Sequence, residues 1–180
     1  MQLQRFTLII LGFALGACSA PNDAEMEQEA ATSVEQNEEV VRQVLALIDE
    51  RNLDEAFELY ALDYIYHGPG GQELRGRDGI RGLWEVFLTG FPDLHSTIED
   101  MISAGDKVVL RWRIEGTHTG EFLGIAPSNM KITLDLIEIF RVANGQLVEA
   151  WDQYDRLGLM QQIGAIPMPE VASTETERKH

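Results

Sequence analysis

Cysteine, histidine and basic residues are scarce in this chain, and each scarcity removes a class of chemistry. A single cysteine, Cys18, permits no internal disulfide and no thiolate cluster. Four histidines, with no His-x-x-x-His pair among them, offer no helical zinc site, so no metal and no cofactor is expected. There is no glycine-rich phosphate loop and no Gly-x-Ser-x-Gly elbow. Only 14 lysines and arginines face 30 acids, a net charge of −16. A surface of that sign repels phosphate backbones, which argues against nucleic acid as a partner. The apolar run from Phe6 to Leu15 is too short to span a bilayer as a permanent helix. No internal repeat appears.

What is present begins with a targeting pattern. Arg5 followed by that apolar run reads as an export signal over residues 1–17. Leu15-Gly16-Ala17-Cys18 resembles the bacterial lipobox, which implies lipidation of Cys18 and attachment to a membrane through that lipid alone. Ordinary cleavage near Ala20, with loss of Cys18, is the competing reading. Under the lipobox reading the protein faces the periplasm, and Ser19 after the cysteine implies the outer membrane. Between Asn22 and Glu39 stand seven acids and no base, which reads as an extended, disordered tether over 18–37. One domain over 38–168 and a disordered tail over 169–180 complete the chain, since about 100–150 residues make a typical domain. Residues 40–169 hold 11 bases and 20 acids, a net of −9.

Inside the domain the apolar period changes once. Val40, Val41, Val44, Leu45 and Ile48 recur at helical spacing, and Leu53, Ala56, Phe57 and Tyr60 mark a second short helix. Tyr64 to His67 reads as a strand stopped by Gly68-Pro69-Gly70-Gly71. Asp78 is expected to cap a third helix, with Trp84 and Phe87 on its apolar side and Phe91-Pro92 at its end. From His95 the period becomes two: Val108, Leu110, Trp112 and Ile114 alternate with Val109, Arg111, Arg113 and Glu115, and His118 shares the parity of Trp112. Helices followed by an antiparallel meander make an α+β fold, a curved sheet wrapped over three N-terminal helices as a cone.

Asn144-Gly145 joins two apolar runs as a hairpin, and its register decides which side chains meet. A two-residue type I′ turn pairs Val142 with Leu147 and places Asp152 on the face of Asp135, Ile137, Ile139 and Arg141. A three-residue loop with Gly145 as a bulge aligns Leu134, Leu136, Glu138, Phe140 and Val142 with Val148, Ala150, Asp152 and Tyr154. The second face makes the better core, and leaves Glu138 and Asp152 inside, diagonal to one another and roughly 5–8 Å apart. Two inward carboxylates on an apolar sheet raise each other's proton affinity, which suits acid–base chemistry; they also serve as hydrogen-bonded structural groups or as a wet rim.

Taken together, Tyr60-Ala61-Leu62-Asp63-Tyr64, Gly76-Arg77-Asp78-Gly79-Ile80, Gly116-Thr117-His118-Thr119-Gly120-Glu121-Phe122-Leu123-Gly124-Ile125-Ala126-Pro127, Phe140-Arg141, Asn144-Gly145, Trp151-Asp152 and Gln161-Gln162-Ile163-Gly164 resemble the SnoaL-like polyketide cyclase (ester cyclase) family. That family lies within the nuclear-transport-factor-2-like superfamily, and the resemblance covers roughly residues 38–166. It implies the cone fold and a catalytic acid/base at Asp152. A histidine assists on the preceding strand in characterised cyclases, and Glu138 stands at that position here. The base of ketosteroid isomerase lies near a Gly-Pro after the first strand, where this chain has His67-Gly68-Pro69. The family's Pro-Thr-Gly reads Pro127-Ser128-Asn129.

The expectation is a cofactor-independent enzyme acting on a small apolar carbonyl or ester compound, with Asp152, Glu138 and His118 catalytic. Tyr66, His67, Trp84, Phe87, Phe91 and Trp112 are expected to bind substrate. His118 serves either to relay a proton or to fix its loop. Ile137, Ile139 and Trp151, on the opposite sheet face, are expected to form a homodimer interface. A non-catalytic binding or assembly lipoprotein is the rival reading.

Overall fold

The computed structural model describes residues 23–168. The expected signal peptide, the lipidation site Cys18 and the tail over 169–180 lie outside the described residues.

No glycine or proline interrupts Asp23 to Asp49, and the backbone there is one helix, α1 (Asp23–Asp49). The segment expected as an extended tether is therefore helical from Asp23 onward. Alanine, glutamate, glutamine and methionine are strong helix formers, and charge repulsion alone does not unwind them. Val41, Val44, Leu45 and Ile48 form the buried stripe of α1. The second helix, α2 (Leu53–Glu58), buries Ala56 and Phe57. It ends before Tyr60, which starts strand β1 (Tyr60–Gly68) and is not helical as expected. A 3-10 turn at Pro69–Gly71 leads to a short strand not foreseen, β2 (Gln72–Arg75), antiparallel to β1. Helix α3 (Gly76–Gly90) follows with no side-chain cap; Asp78 sits inside its first turn, where a negative charge still favours the helix dipole.

The remaining strands are β3 (His95–Ala104), β4 (Lys107–Thr117), β5 (Lys131–Ala143) and β6 (Gln146–Tyr154), closed by helix α4 (Arg156–Gln162). The sheet order is β2-β1-β6-β5-β4-β3. All neighbours are antiparallel except β1 and β6, which run parallel. Period-two alternation places Val108, Leu110, Trp112 and Ile114 of β4, and Ile132, Leu134, Leu136, Phe140 and Val142 of β5, on the inner face, where they are buried. The three N-terminal helices close that face, giving the α+β cone expected from the order of elements.

The hairpin combines parts of both expected registers. Asn144 and Gly145 both have positive φ, 53° and 72°, so the turn is type I′, and Val142 pairs with Leu147. The register then shifts: Arg141 pairs with Glu149, leaving Val148 as the extra residue of a bulge on β6. That single insertion turns Ala150 and Asp152 inward with Glu138 and Phe140. Glu138 and Asp152 are therefore directly opposite, not diagonal.

Candidate active site

Tyr66 of β1, Glu138 of β5 and Asp152 of β6 meet on the inner face. Parallel pairing of β1 with β6 sets Tyr66 beside Ala150, so the phenol reaches Asp152 and its hydroxyl donates to Oδ2 at 2.8 Å. Both carboxyl groups are buried, Glu138 at 6% exposure and Asp152 at 5%. Burial lifts the Asp152 carboxyl from its ordinary range to about 6, against the Tyr66 hydroxyl and the Gln153 amide, which favour the ionised form. Burial, and then the neighbouring Asp152 charge, push Glu138 well above the usual carboxylate range. Glu138 thus keeps its proton where Asp152 has lost its own, and the pair offers an acid beside a base. Burial also raises the hydroxyls of Tyr60, Tyr64 and Tyr66, which remain donors at neutral pH.

The pair lines a narrow cleft whose free space, open solvent at its mouth included, is about 530 Å³. Trp84 and Phe87 of α3 form one wall, and Trp112, Leu136 and Phe140 of the sheet the other. The rest of the lining is aliphatic and aromatic, with no cationic side chain. Asp152 Oδ1 and Trp112 Nε1 are buried and have no hydrogen-bond partner. Such an atom typically costs about 1–3 kcal/mol. Among the described residues no three His, Cys, Asp or Glu side chains converge to hold a metal ion.

Of the residues expected in the site, Asp152, Glu138, Tyr66, Trp84, Phe87 and Trp112 line this cavity. His67, His118 and Phe91 do not. His67 follows Tyr66 on the strand and so points to the outer face, where Nε2 lies 2.9 Å from Glu149 Oε1 and the ring stacks on Trp151 at 5.5 Å. That contact, with Arg141, holds the Glu149 carboxyl below its usual range. His118 has the expected inward parity but lies further along the strand. It is fully buried between Phe91 and Phe122. Its Nδ1 accepts from the Ser128 amide at 3.2 Å and lies 3.0 Å from Ser128 Oγ. This arrangement fits the loop-fixing role of the two expected for it. Phe91 is the floor of the same box. Asn129 takes φ 58°, a left-handed value asparagine tolerates, so the loop turns there without a glycine.

Sequence reasoning missed Tyr60 and Tyr154, which also line the cavity. Tyr154 shares the parity of Asp152 and was legible on that ground; Tyr60 was hidden by its assignment to a helix.

The model of the SnoaL-like polyketide cyclase family matches residues 38–163. Three solved structures show the same cone. AclR from Streptomyces galilaeus, described provisionally as a hydroxylase, is 26% identical with a TM-score of 0.69, over 77% of this chain and 88% of that one. TsrD from Streptomyces laurentii is 31% identical with a TM-score of 0.62, over 75% and 97%. IdmH from Streptomyces antibioticus, described provisionally as a polyketide cyclase, is 29% identical with a TM-score of 0.64, over 72% and 99%. Among curated proteins none matches by sequence. With most of the domain matched by the family model and the cone shared with these relatives, the chain belongs to the SnoaL-like polyketide cyclase family.

Proposed function

We propose that this protein is an acid–base enzyme acting on a small apolar ketone or ester held in the cone. The observation that carries the reading is the asymmetry of Asp152: one carboxylate oxygen accepts from Tyr66, the other is unpaired, and a carboxyl that keeps its proton stands opposite. Asp152 Oδ1 takes a proton from the carbon beside the carbonyl. The C–H electron pair moves into the new C=C bond, and the carbonyl pair moves onto oxygen. Glu138 hydrogen-bonds or protonates that oxygen, and the apolar walls keep water from the enolate. Returning the proton elsewhere isomerises the substrate; attack of the enolate carbon on a second carbonyl closes a ring. Both carboxyl roles are filled by side chains, so the chemistry calls for no cofactor.

Asp152→Asn tests this directly. Loss of α-proton exchange in deuterated water by at least about 100-fold is expected, with the fold retained. Equal exchange in both proteins rejects the assignment. Retention of the ketone with no exchange in either indicates a binding protein using the same cavity.

We propose, from the Leu15-Gly16-Ala17-Cys18 pattern alone, that the protein sits in the cell envelope, facing the periplasm and held to the outer membrane by lipid on Cys18. Intact mass of the membrane-fraction protein tests the lipid. We propose also that the molecule is a homodimer through Ile137, Ile139 and Trp151, on the ground of the exposed apolar Ile137.

A further inference from the structure

Two cavity-lining residues carry a buried polar atom with no partner: Asp152 Oδ1, an acceptor, and Trp112 Nε1, a donor. The mechanism above uses the first and leaves the second idle. An indole N–H has no second protonation state through which to relieve its isolation, so only a matching acceptor satisfies it. Trp112 is 2% exposed. It stands opposite Leu136, which is opposite Tyr154, while Glu138 is opposite Asp152 in the next row of the sheet. Two residues along a strand separate these rows by roughly 7 Å, and β4 and β6 lie two strands apart, a further roughly 10 Å across the sheet.

We infer that Trp112 Nε1–H donates a hydrogen bond to the substrate's carbonyl oxygen, acting as a second donor beside Glu138. The substrate class follows from the same lining. An anion finds no counter-charge, because no cationic side chain lines the cavity. The ligand is a neutral, flat ketone or ester whose apolar body lies between Trp84 and Phe87 of α3 and the sheet, with the carbonyl toward Trp112 and the acidic C–H toward Asp152. The inference rests on the acid–base reading for the identity of the reacting C–H, and on the unpaired donor for the rest.

β-Tetralone, a flat bicyclic ketone, and tetralin, the hydrocarbon without its oxygen, are the probes. The full-length chain has three tryptophans and so three indole N–H signals in a proton–nitrogen NMR correlation spectrum. Trp112→Phe identifies the relevant one. The expected result is that β-tetralone shifts the Trp112 signal and tetralin does not. Trp112→Phe should weaken β-tetralone by about tenfold and leave tetralin unchanged. Failure of β-tetralone to bind, an unmoved Trp112 signal in the wild-type complex, or equal weakening of both probes overturns the inference. The wild-type shift needs no variant, so a poorly folding Trp112→Phe leaves the test intact. Exchange of the ketone α-protons separates the two claims. Trp112-dependent binding without exchange removes the acid–base reading and keeps this donor; exchange that Trp112→Phe alters in neither affinity nor rate keeps the reading and removes the donor.

Discussion

Asp152 and Glu138 make the folded chain hold protons that the unfolded chain has released. Asp152 ionises from 3.8 when unperturbed but only near about 6 in the fold. Between those values the unfolded state binds fewer protons than the folded one, so stability falls as pH rises through this window and stays lower above it. Glu138, raised well above 4.5, extends the loss to higher pH. Asp152→Asn removes the Asp152 share. Urea unfolding should show it gaining on the order of 2–3 kcal/mol over wild type at about pH 8 compared with about pH 4. A gap independent of pH would mean that Asp152 is solvated in the folded protein. The same two groups shape activity: the rate should rise through about 6 as Asp152 ionises and fall when Glu138 loses its proton. A rate already at its plateau near pH 4 would contradict this.

The β5–β6 hairpin decides whether that pair exists. Gly145 holds φ 72° with open space around it, so Gly145→Ala should cost about 1 kcal/mol through backbone strain alone, read as a lowered melting temperature. No change would mean that the turn relaxes. Much of this element was legible: alternation named the inner residues of β4 and β5, and Asn-Gly named the turn. The bulge was not, because Val148 is apolar on either face and only the demand that Ala150 and Asp152 face inward displaces it. Strand β2 was illegible for a different reason. Gln72-Glu73-Leu74-Arg75 is a short edge strand with polar residues and no apolar alternation. Parity put His118 inside correctly but says nothing of depth, and depth separates the cavity from the Phe91–Phe122 box. His67 was drawn into the site by the loop it precedes, although a period of two already sends it away from Tyr66.

For the whole molecule, the outer sheet face carries apolar groups that the fold does not cover. Ile137 is 56% exposed, beside half-buried Ile139 and Trp151, with the Arg113–Asp135 ion pair at 2.9 Å next to them. The proposed homodimer covers this face. Ile137→Asp should halve the mass seen by light scattering while leaving ketone binding in the cone intact; an unchanged mass removes the interface. The parallel pairing of β1 with β6 has its own consequence, in the order in which the molecule is made. Tyr66 and Asp152 are 86 residues apart. On a chain growing from its N-terminus, β1 leaves the ribosome long before its neighbour in the sheet has been synthesised, and a contact of that separation closes late. β6 is the last strand of the sheet to be synthesised, so a chain cut short before it lacks one carboxylate and leaves the aromatic face of β1 without its parallel partner, a surface for chaperones or proteases to recognise.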